Sequence, residues 1–347
     1  MGLIDRAQIR SILVIKLRAV GDVLLSTVVL RSLRVAFPSA RIDFMTEPPA
    51  RDLLEGNPDI TRVFVYDRKK GNPVRYLLEV RRARYDLVID LFGNPRTALL
   101  TYVSRAPHRI GFDFRGRTYA YTTLVSPRGD RVHNTQFNLD ALDAIGIPIV
   151  DRSVPFRFAE GDARYVDEFL SARFPEGRVV VGVNAGGGWY TKRWNMDRFA
   201  ALADRLVERL GVGVVLPWGP GQLVETEQLS HMMVNTPLIP PPTTLLQLGV
   251  LFRRCAFIVS NDSGPMHIAA AVGTPVVGIY GPTNPVLQGP YGGNHVVVRR
   301  EGLECLGCNL TRCPIGHPCM KELSVEMVWR AVEELVEKNH LTFPAHR

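Results

Sequence analysis

Val259-Ser260-Asn261-Asp262-Ser263-Gly264-Pro265-Met266-His267, followed by Gly278-Ile279-Tyr280-Gly281-Pro282-Thr283-Asn284-Pro285, says which class of fold this chain adopts. The apolar run Ala256 to Val259 has the length of a buried strand, Asp262-Ser263-Gly264 forms its exit turn, and His267 to Val272 reads as the helix that follows. A helix start offers free N–H groups and a positive dipole end, which suits a diphosphate. The next strand, Pro275 to Tyr280, delivers Gly281-Pro282-Thr283 to the same carboxyl edge of a parallel sheet, where open α/β sheets bind ligands. Either turn alone fits an ordinary cap or Gly-Pro turn. Together they point to one ligand, with Asp262, Ser263, Gly264, His267 and Gly281 as its contacts.

The same alternation runs outward in both directions. Ser11 to Lys16, Arg41 to Thr46, Arg62 to Tyr66, Leu87 to Leu91 and Arg109 to Phe112 read as strands, with helices over Val23 to Phe37 and Asn134 to Ile145. Proline and charge interrupt the pattern near Pro148 to Pro155. It then restarts with strands at Val179 to Asn184 and Val212 to Leu216 and a helix between them, Asp197 to Leu210. An α/β chain of two doubly wound Rossmann-like domains facing a cleft is the expected architecture, with domains at 1–153 and 154–322. The closing segment Ser324 to Glu337 carries a helical apolar stripe.

At 347 residues the chain has the length of two cores. Its apolar runs fall far short of the roughly 20 residues that span a bilayer. Met1 to Arg6 has no basic region leading into an apolar core, so a cytoplasmic location is expected. Residues 1–150 hold 23 Lys and Arg against 15 Asp and Glu, and residues 151–347 hold 19 against 19, so the whole net charge of +8 sits in the first half. That excess suits an anionic partner, whether a phosphorylated lipid, an anionic membrane surface or nucleic acid, or else simply a solvated surface. Neither a ribonucleoprotein aromatic motif nor a zinc-finger spacing accompanies it, which argues against nucleic acid.

Three further strand exits carry candidate chemistry. Lys16-Leu17-Arg18-Ala19-Val20-Gly21-Asp22 leads from a strand into a helix, where Gly21 permits close backbone approach and Asp22 is either a helix cap or a carboxylate aimed at ligand. Asn184-Ala185-Gly186-Gly187-Gly188-Trp189-Tyr190-Thr191-Lys192 lets backbone N–H groups at Gly187 and Gly188 close on phosphate oxygens, and Lys192 supplies charge. After Trp218-Gly219 the nearest groups for ribose hydroxyls are Gln222 and Glu225. Arg96, Arg105, Arg109, Arg115 and Arg117 cluster by sequence in the first half as forks for acidic groups, and His133 reads as a packing or capping residue. Cys305, Cys308, Cys313 and Cys319 put four thiols in fifteen residues, a count that fits tetrahedral Zn²⁺, an iron–sulfur cluster, or free thiols and disulfides in a loop. Cys255 reads as a small core residue.

Asn261 to His267 and Tyr280-Gly281-Pro282-Thr283-Asn284-Pro285 closely resemble the heptosyltransferases of glycosyltransferase family nine, and the resemblance runs from about Ile12 to Met320. It implies the glycosyltransferase B fold, with the last segment, 323–347, a helix crossing back to the first domain. It implies an inverting transfer of heptose from ADP-heptose to the inner core of a phosphorylated lipid A–Kdo acceptor, at the inner membrane face. By resemblance Asp22 is the base, Lys192 binds donor phosphate, and Lys16, Arg18, Gly21, Arg96, Arg115 and Arg117 face the acceptor. No cofactor is required for catalysis, and any Zn²⁺ on the cysteines is structural. This chain departs from the pattern in having glycines where some relatives place threonines near Gly187. An epimerase of the same fold, or a non-catalytic nucleotide-sugar or lipid-binding protein, is the alternative.

Overall fold

The computed structural model describes residues 4–343; the reading of Met1 to Arg6 therefore falls in part outside the described residues. The chain divides into two compact units, Met1–Arg157 and Phe158–Arg347, against an expected boundary after residue 153. In the first unit the order is β1 (Ser11–Ile15), α1 (Val20–Ser26), α2 (Leu30–Ala36), β2 (Arg41–Thr46), β3 (Arg62–Val65), α3 (Pro73–Ala83), β4 (Leu87–Asp90), α4 (Pro95–Ser104), β5 (His108–Phe112), β6 (Thr123–Val125) and α5 (Asn134–Asp143). The six strands are all parallel, in the order β3-β2-β1-β4-β5-β6. That is the Rossmann order, in which the winding reverses between β1 and β4. β1 is buried almost throughout because helices cover both faces, hence its unbroken Ile-Leu-Val-Ile run. One face packs Leu13, Ile15, Phe64 and Val88 under Val80 of α3 and Leu100 of α4.

The second unit runs α6 (Glu160–Arg173), β7 (Val180–Asn184), α7 (Met196–Leu210), β8 (Gly213–Val215), α8 (Leu223–Met232), α9 (Leu245–Arg254), β9 (Ile258–Asn261), α10 (Gly264–Ala271), β10 (Val276–Tyr280), α11 (Pro285–Gln288), β11 (Val296–Arg299), α12 (Pro318–Lys321) and α13 (Val325–Lys338). Its five parallel strands follow the order β11-β10-β9-β7-β8. This is the flavodoxin-like winding, with its reversal between β7 and β9. The helix after β9 starts at Gly264, with Pro265 in its first turn, three residues before the start expected from the apolar run.

Val328, Trp329, Val332 and Leu335 of α13 join the core under β10 and β11 beside α7. Among the described residues, no helix is long and apolar enough to cross a membrane.

Candidate functional site

Where the winding of a parallel sheet reverses, the loops leaving two adjacent strands diverge to opposite faces and open a crevice at the carboxyl edge. In the first unit those loops follow β1 and β4. Lys16, the residue after β1, sends its Nζ to the Leu91 carbonyl at 2.9 Å and stands 5.8 Å from the Phe92 ring centre. Burial pulls the Lys16 pKa below the ordinary lysine value, while Asp22 and Asp90 oppose the shift. Asp90, fully buried at the end of β4, is pushed up by burial against the pull of the Gly93 N–H at 2.9 Å, the Tyr121 hydroxyl at 2.8 Å and the Phe92 N–H at 3.0 Å.

Asp22 sits at the third residue of α1, in a capping position. Its Oδ2 accepts the Ala19 N–H at 3.1 Å, closing the helix start, and its Oδ1 accepts the Asn134 amide at 3.3 Å. Gly21 is buried beneath it, and Arg18 is exposed at the cis Arg18–Ala19 peptide. Asn134 was not singled out in the sequence. It opens α5, directly after His133, whose Nδ1 accepts the Thr135 N–H at 3.2 Å as the expected cap. Arg96, at the start of α4, lies 3.8 Å from Glu47 at the exit of β2 and 5.8 Å from the Tyr66 ring at the exit of β3. Arg115 is exposed and Arg117 lies 5.8 Å from the Phe114 ring, both on the loop leaving β5 at this same edge.

Arg105 and Arg109 do not belong with these. Arg105 closes α4 and Arg109 begins β5, so both lie at the amino edge, a strand's length away from Lys16. Adjacency in sequence had grouped them with Arg96 because it does not say on which side of a strand a residue falls.

In the second unit the loops after β7 and β9 diverge. Asn184 holds Ser260 and Ser263 at 2.8 and 3.0 Å, and the Asn261 amide reaches across to the Ala185 carbonyl at 2.8 Å. These bonds fix the glycine-rich turn against the start of α10. Lys192 then places its Nζ 2.7 Å from Asp262 Oδ2 and 4.7 Å from the Trp189 ring centre. Thr283, from the exit of β10, donates to the same Asp262 oxygen at 2.6 Å. The buried Asp262 is thus matched by one cation and one hydroxyl, as burial of a carboxylate requires. Ser263 is the N-cap residue of α10 but makes no side-chain capping bond, while His267 is buried within the helix.

Gly187 is buried, and a Cβ there would stand 3.3 Å from Arg193; Gly188 is exposed with open space around it. Gln222 turns inward and accepts the Gly219 N–H at 3.0 Å, and Glu225 takes both its oxygens to Arg193 at 2.9 Å. Both line a cavity of about 360 Å³ with Ala185, Gly186, Trp194 and Leu229. Gly281 has a packing reason for its missing side chain: a Cβ would meet Cys319 Sγ at 2.8 Å.

The cysteine segment touches two of these turns. Gly307 and Asn309 donate to the carbonyls of Gly281 and Pro282 at 3.2 and 2.6 Å, and the Leu310 carbonyl accepts from Thr191 at 2.8 Å. His317 Nε2 meets the Thr191 carbonyl at 2.5 Å. The loop therefore buttresses both the Lys192 turn and the turn after β10. All five cysteines are free. Burial, then the neighbouring thiols of Cys305, Cys308 and Cys313, push Cys319 up to about 11. Among the described residues no three side chains stand in the arrangement of metal ligands, although Cys313 accepts the His317 N–H at 3.2 Å. Buried Cys255 is pushed up to about 12, as a core thiol should be.

Comparison with known proteins bears on this geometry. The family model described as glycosyltransferase family 9 (heptosyltransferase) matches residues 74–317. Lipopolysaccharide heptosyltransferase 3 of Escherichia coli is 28% identical over 293 residues, covering 80% of this chain and 85% of its own. The solved glycosyltransferase family 9 structure from Veillonella parvula DSM 2008 superposes with a TM-score of 0.83 at 28% identity, over 95% of this chain and 97% of its own. The structure of the E. coli ADP-heptose lipopolysaccharide heptosyltransferase II shares the fold, with a TM-score of 0.76 at 23% identity over 95% of this chain and 100% of that one.

Proposed function

The chain belongs to glycosyltransferase family 9, and from that premise we propose that it transfers a heptose from ADP-heptose, with inversion, to the inner core of a phosphorylated lipid A–Kdo acceptor. The observation that carries the donor half is Lys192, held 2.7 Å from Asp262 at the open start of α10. A cation beside free helix N–H groups matches a diphosphate, and an arriving one takes over from Asp262 as the partner of Lys192. Gly187 and Gly188 bring backbone close to the phosphates, and Gln222 and Glu225 are the groups for the ribose. Ser263, Gly264, His267 and Gly281 complete the donor contacts.

In the acceptor half, Lys16, Arg18, Gly21, Arg96, Arg115 and Arg117 face the acidic sugars and phosphates. The acceptor hydroxyl oxygen attacks the anomeric carbon, its proton passes to Asp22, and the bond from that carbon to the β-phosphate oxygen breaks with the electron pair leaving on ADP. Lys192 and the α10 dipole neutralise the developing charge, so the scheme uses no cofactor. The protein works in the cytoplasm, peripheral to the inner membrane, where such an acceptor is exposed.

Thermal shift with ADP-, UDP- and GDP-linked sugars tests the donor. The largest stabilisation is expected with the ADP series, and a preference for UDP would sink the heptose reading. Product analysis with and without the lipid acceptor tests the reaction, because an epimerase converts donor alone. A structural Zn²⁺ on Cys305, Cys308, Cys313 and Cys319 is proposed alongside from the number and spacing of the thiols alone, since among the described residues they do not stand as metal ligands. About one Zn²⁺ per chain should copurify, and its removal should lower the melting temperature; metal-free protein with four titratable thiols would refute it.

A further inference from the structure

The basic excess of the chain has a definite address in the fold. Residues 67–117 hold twelve Lys and Arg against five Asp and Glu, so this stretch supplies +7 of the net +8. Its two helices, α3 and α4, lie side by side on one face of the first sheet. Their outer surface is not the polar one that a solvated helix pair presents. Leu99 and Tyr102 of α4 are 42% and 52% exposed, Val74 and Leu78 of α3 are 58% and 47% exposed, and Tyr119 stacks edge-on against Tyr102. Between Arg96 and Arg105 the exposed side of α4 carries no charge.

Arginine borders this apolar strip. At its amino-edge end a cavity of about 380 Å³ is lined by Arg81, Tyr102, Val103, Arg105 and Arg109. Arginines at the ends of helices often answer the free carbonyls there, and Arg109 does so through Ala106 and Ala120 at 2.6 and 2.8 Å. Arg81 and Arg105 make no such bond and no ion pair among the described residues, and Arg81 is half-buried at the cavity wall. Unpaired guanidinium groups in a concave, tyrosine-lined site at the margin of exposed leucines match a phosphate-bearing interface, where aromatic rings rest among headgroups and arginines meet phosphates.

We propose that the α3–α4 face docks this protein on an anionic phospholipid surface, with a lipid phosphate entering the cavity of Arg81 and Arg105. The inference deepens the reading of a lipid-borne acceptor and rests on it for its purpose, but the docking is measured without transfer. Flotation of the full chain with phosphatidylcholine vesicles, with and without phosphatidylglycerol, should show binding only to the anionic vesicles, weakening as salt rises. Arg81→Gln/Arg105→Asn should lower that binding about 30-fold. Leu99→Ser/Tyr102→Ser should lower it about ten-fold, since these side chains supply the apolar contact. Both variants should melt as the parent does and transfer to detergent-dispersed acceptor at the parental rate. Binding of the arginine variant equal to the parent's, equal binding to neutral vesicles, or displacement of the parent from anionic vesicles by a short RNA would each overturn the proposal. Parental protein that binds anionic vesicles but transfers nothing would overturn the reaction and leave the docking face standing.

Discussion

At the carboxyl edge of the first sheet the groups that leave the strands are charged side chains: Lys16, Asp22, Glu47, Asp90 and Arg96. At the same edge of the second sheet they are Asn184, three glycines, Ser263 and the Gly281 turn, with two ion pairs, Lys192 with Asp262 and Arg193 with Glu225. The two sheets obey one set of winding rules, yet the first edge is defined by side chains and the second by backbone held in place by amides. Side-chain sites are suited to moving a proton, and backbone sites to gripping a diphosphate whatever hangs from it. Substitutions should therefore fail in different ways at the two edges.

The largest effect is expected at Asp22. Asp22→Asn keeps the shape and one acceptor oxygen for the Ala19 N–H, with Asn134 turning its amide to accept from the new NH₂, and should lower turnover about 10²–10⁴-fold with donor affinity intact. Turnover close to the parent's would reduce Asp22 to a helix cap and remove the contrast between the edges.

Next comes acid stability, which separates the units. His295 is buried with Nδ1 accepting the Val276 N–H and Nε2 facing the Tyr291 carbonyl, and burial lowers its pKa from 6.5 to about 4. Below pH 6.5 the unfolded chain takes up a proton that the folded one refuses until about pH 4. The contribution is therefore whole above that window and is lost as pH falls through it, to a limit of roughly 3 kcal/mol. All four tryptophans, Trp189, Trp194, Trp218 and Trp329, belong to the second unit, so their fluorescence follows it alone. His295→Gln should flatten the acid dependence of that melting curve; an unchanged slope would assign it to other groups.

A smaller loss, about ten-fold in donor affinity with a matching fall in turnover, is expected for Lys192→Ala, because its charge acts in ground and transition state alike. Calorimetric titration with ADP checks this, and unchanged affinity would mean that the backbone alone grips the phosphates. Asn134→Ala should cost least, a few-fold in turnover with donor affinity intact, as Asp22 loses a hydrogen bond that orients it. A fall in melting temperature with no fall in turnover would make Asn134 a packing residue.

The strands that cross the middle of each sheet were legible because apolar runs buried on both faces look like nothing else of that length, as in Ser11–Ile15 and Val180–Asn184. The edge strands β6 and β11 were not, since their half-exposed residues alternate over only three and four positions. Glycine-bearing turns after strands located Gly21, Gly187 and Gly264 because a strand exit is a local event. Asn134 reaches Asp22 across 112 positions, and Leu310 reaches Thr191 across 119, and no periodicity records such pairs.

The packing of Gly281 against Cys319 reaches beyond a single tight contact. Gly281 and Pro282 bond Gly307 and Asn309, the same loop bonds Thr191 through Leu310 and His317, and Thr191 precedes Lys192. Segments from three distant stretches of chain are thereby tied into one bracket. In a lineage of such sequences, a length change in the 303–317 loop would have to arrive together with changes at 191 and 281, so the three should drift in concert while the α3–α4 surface drifts on its own.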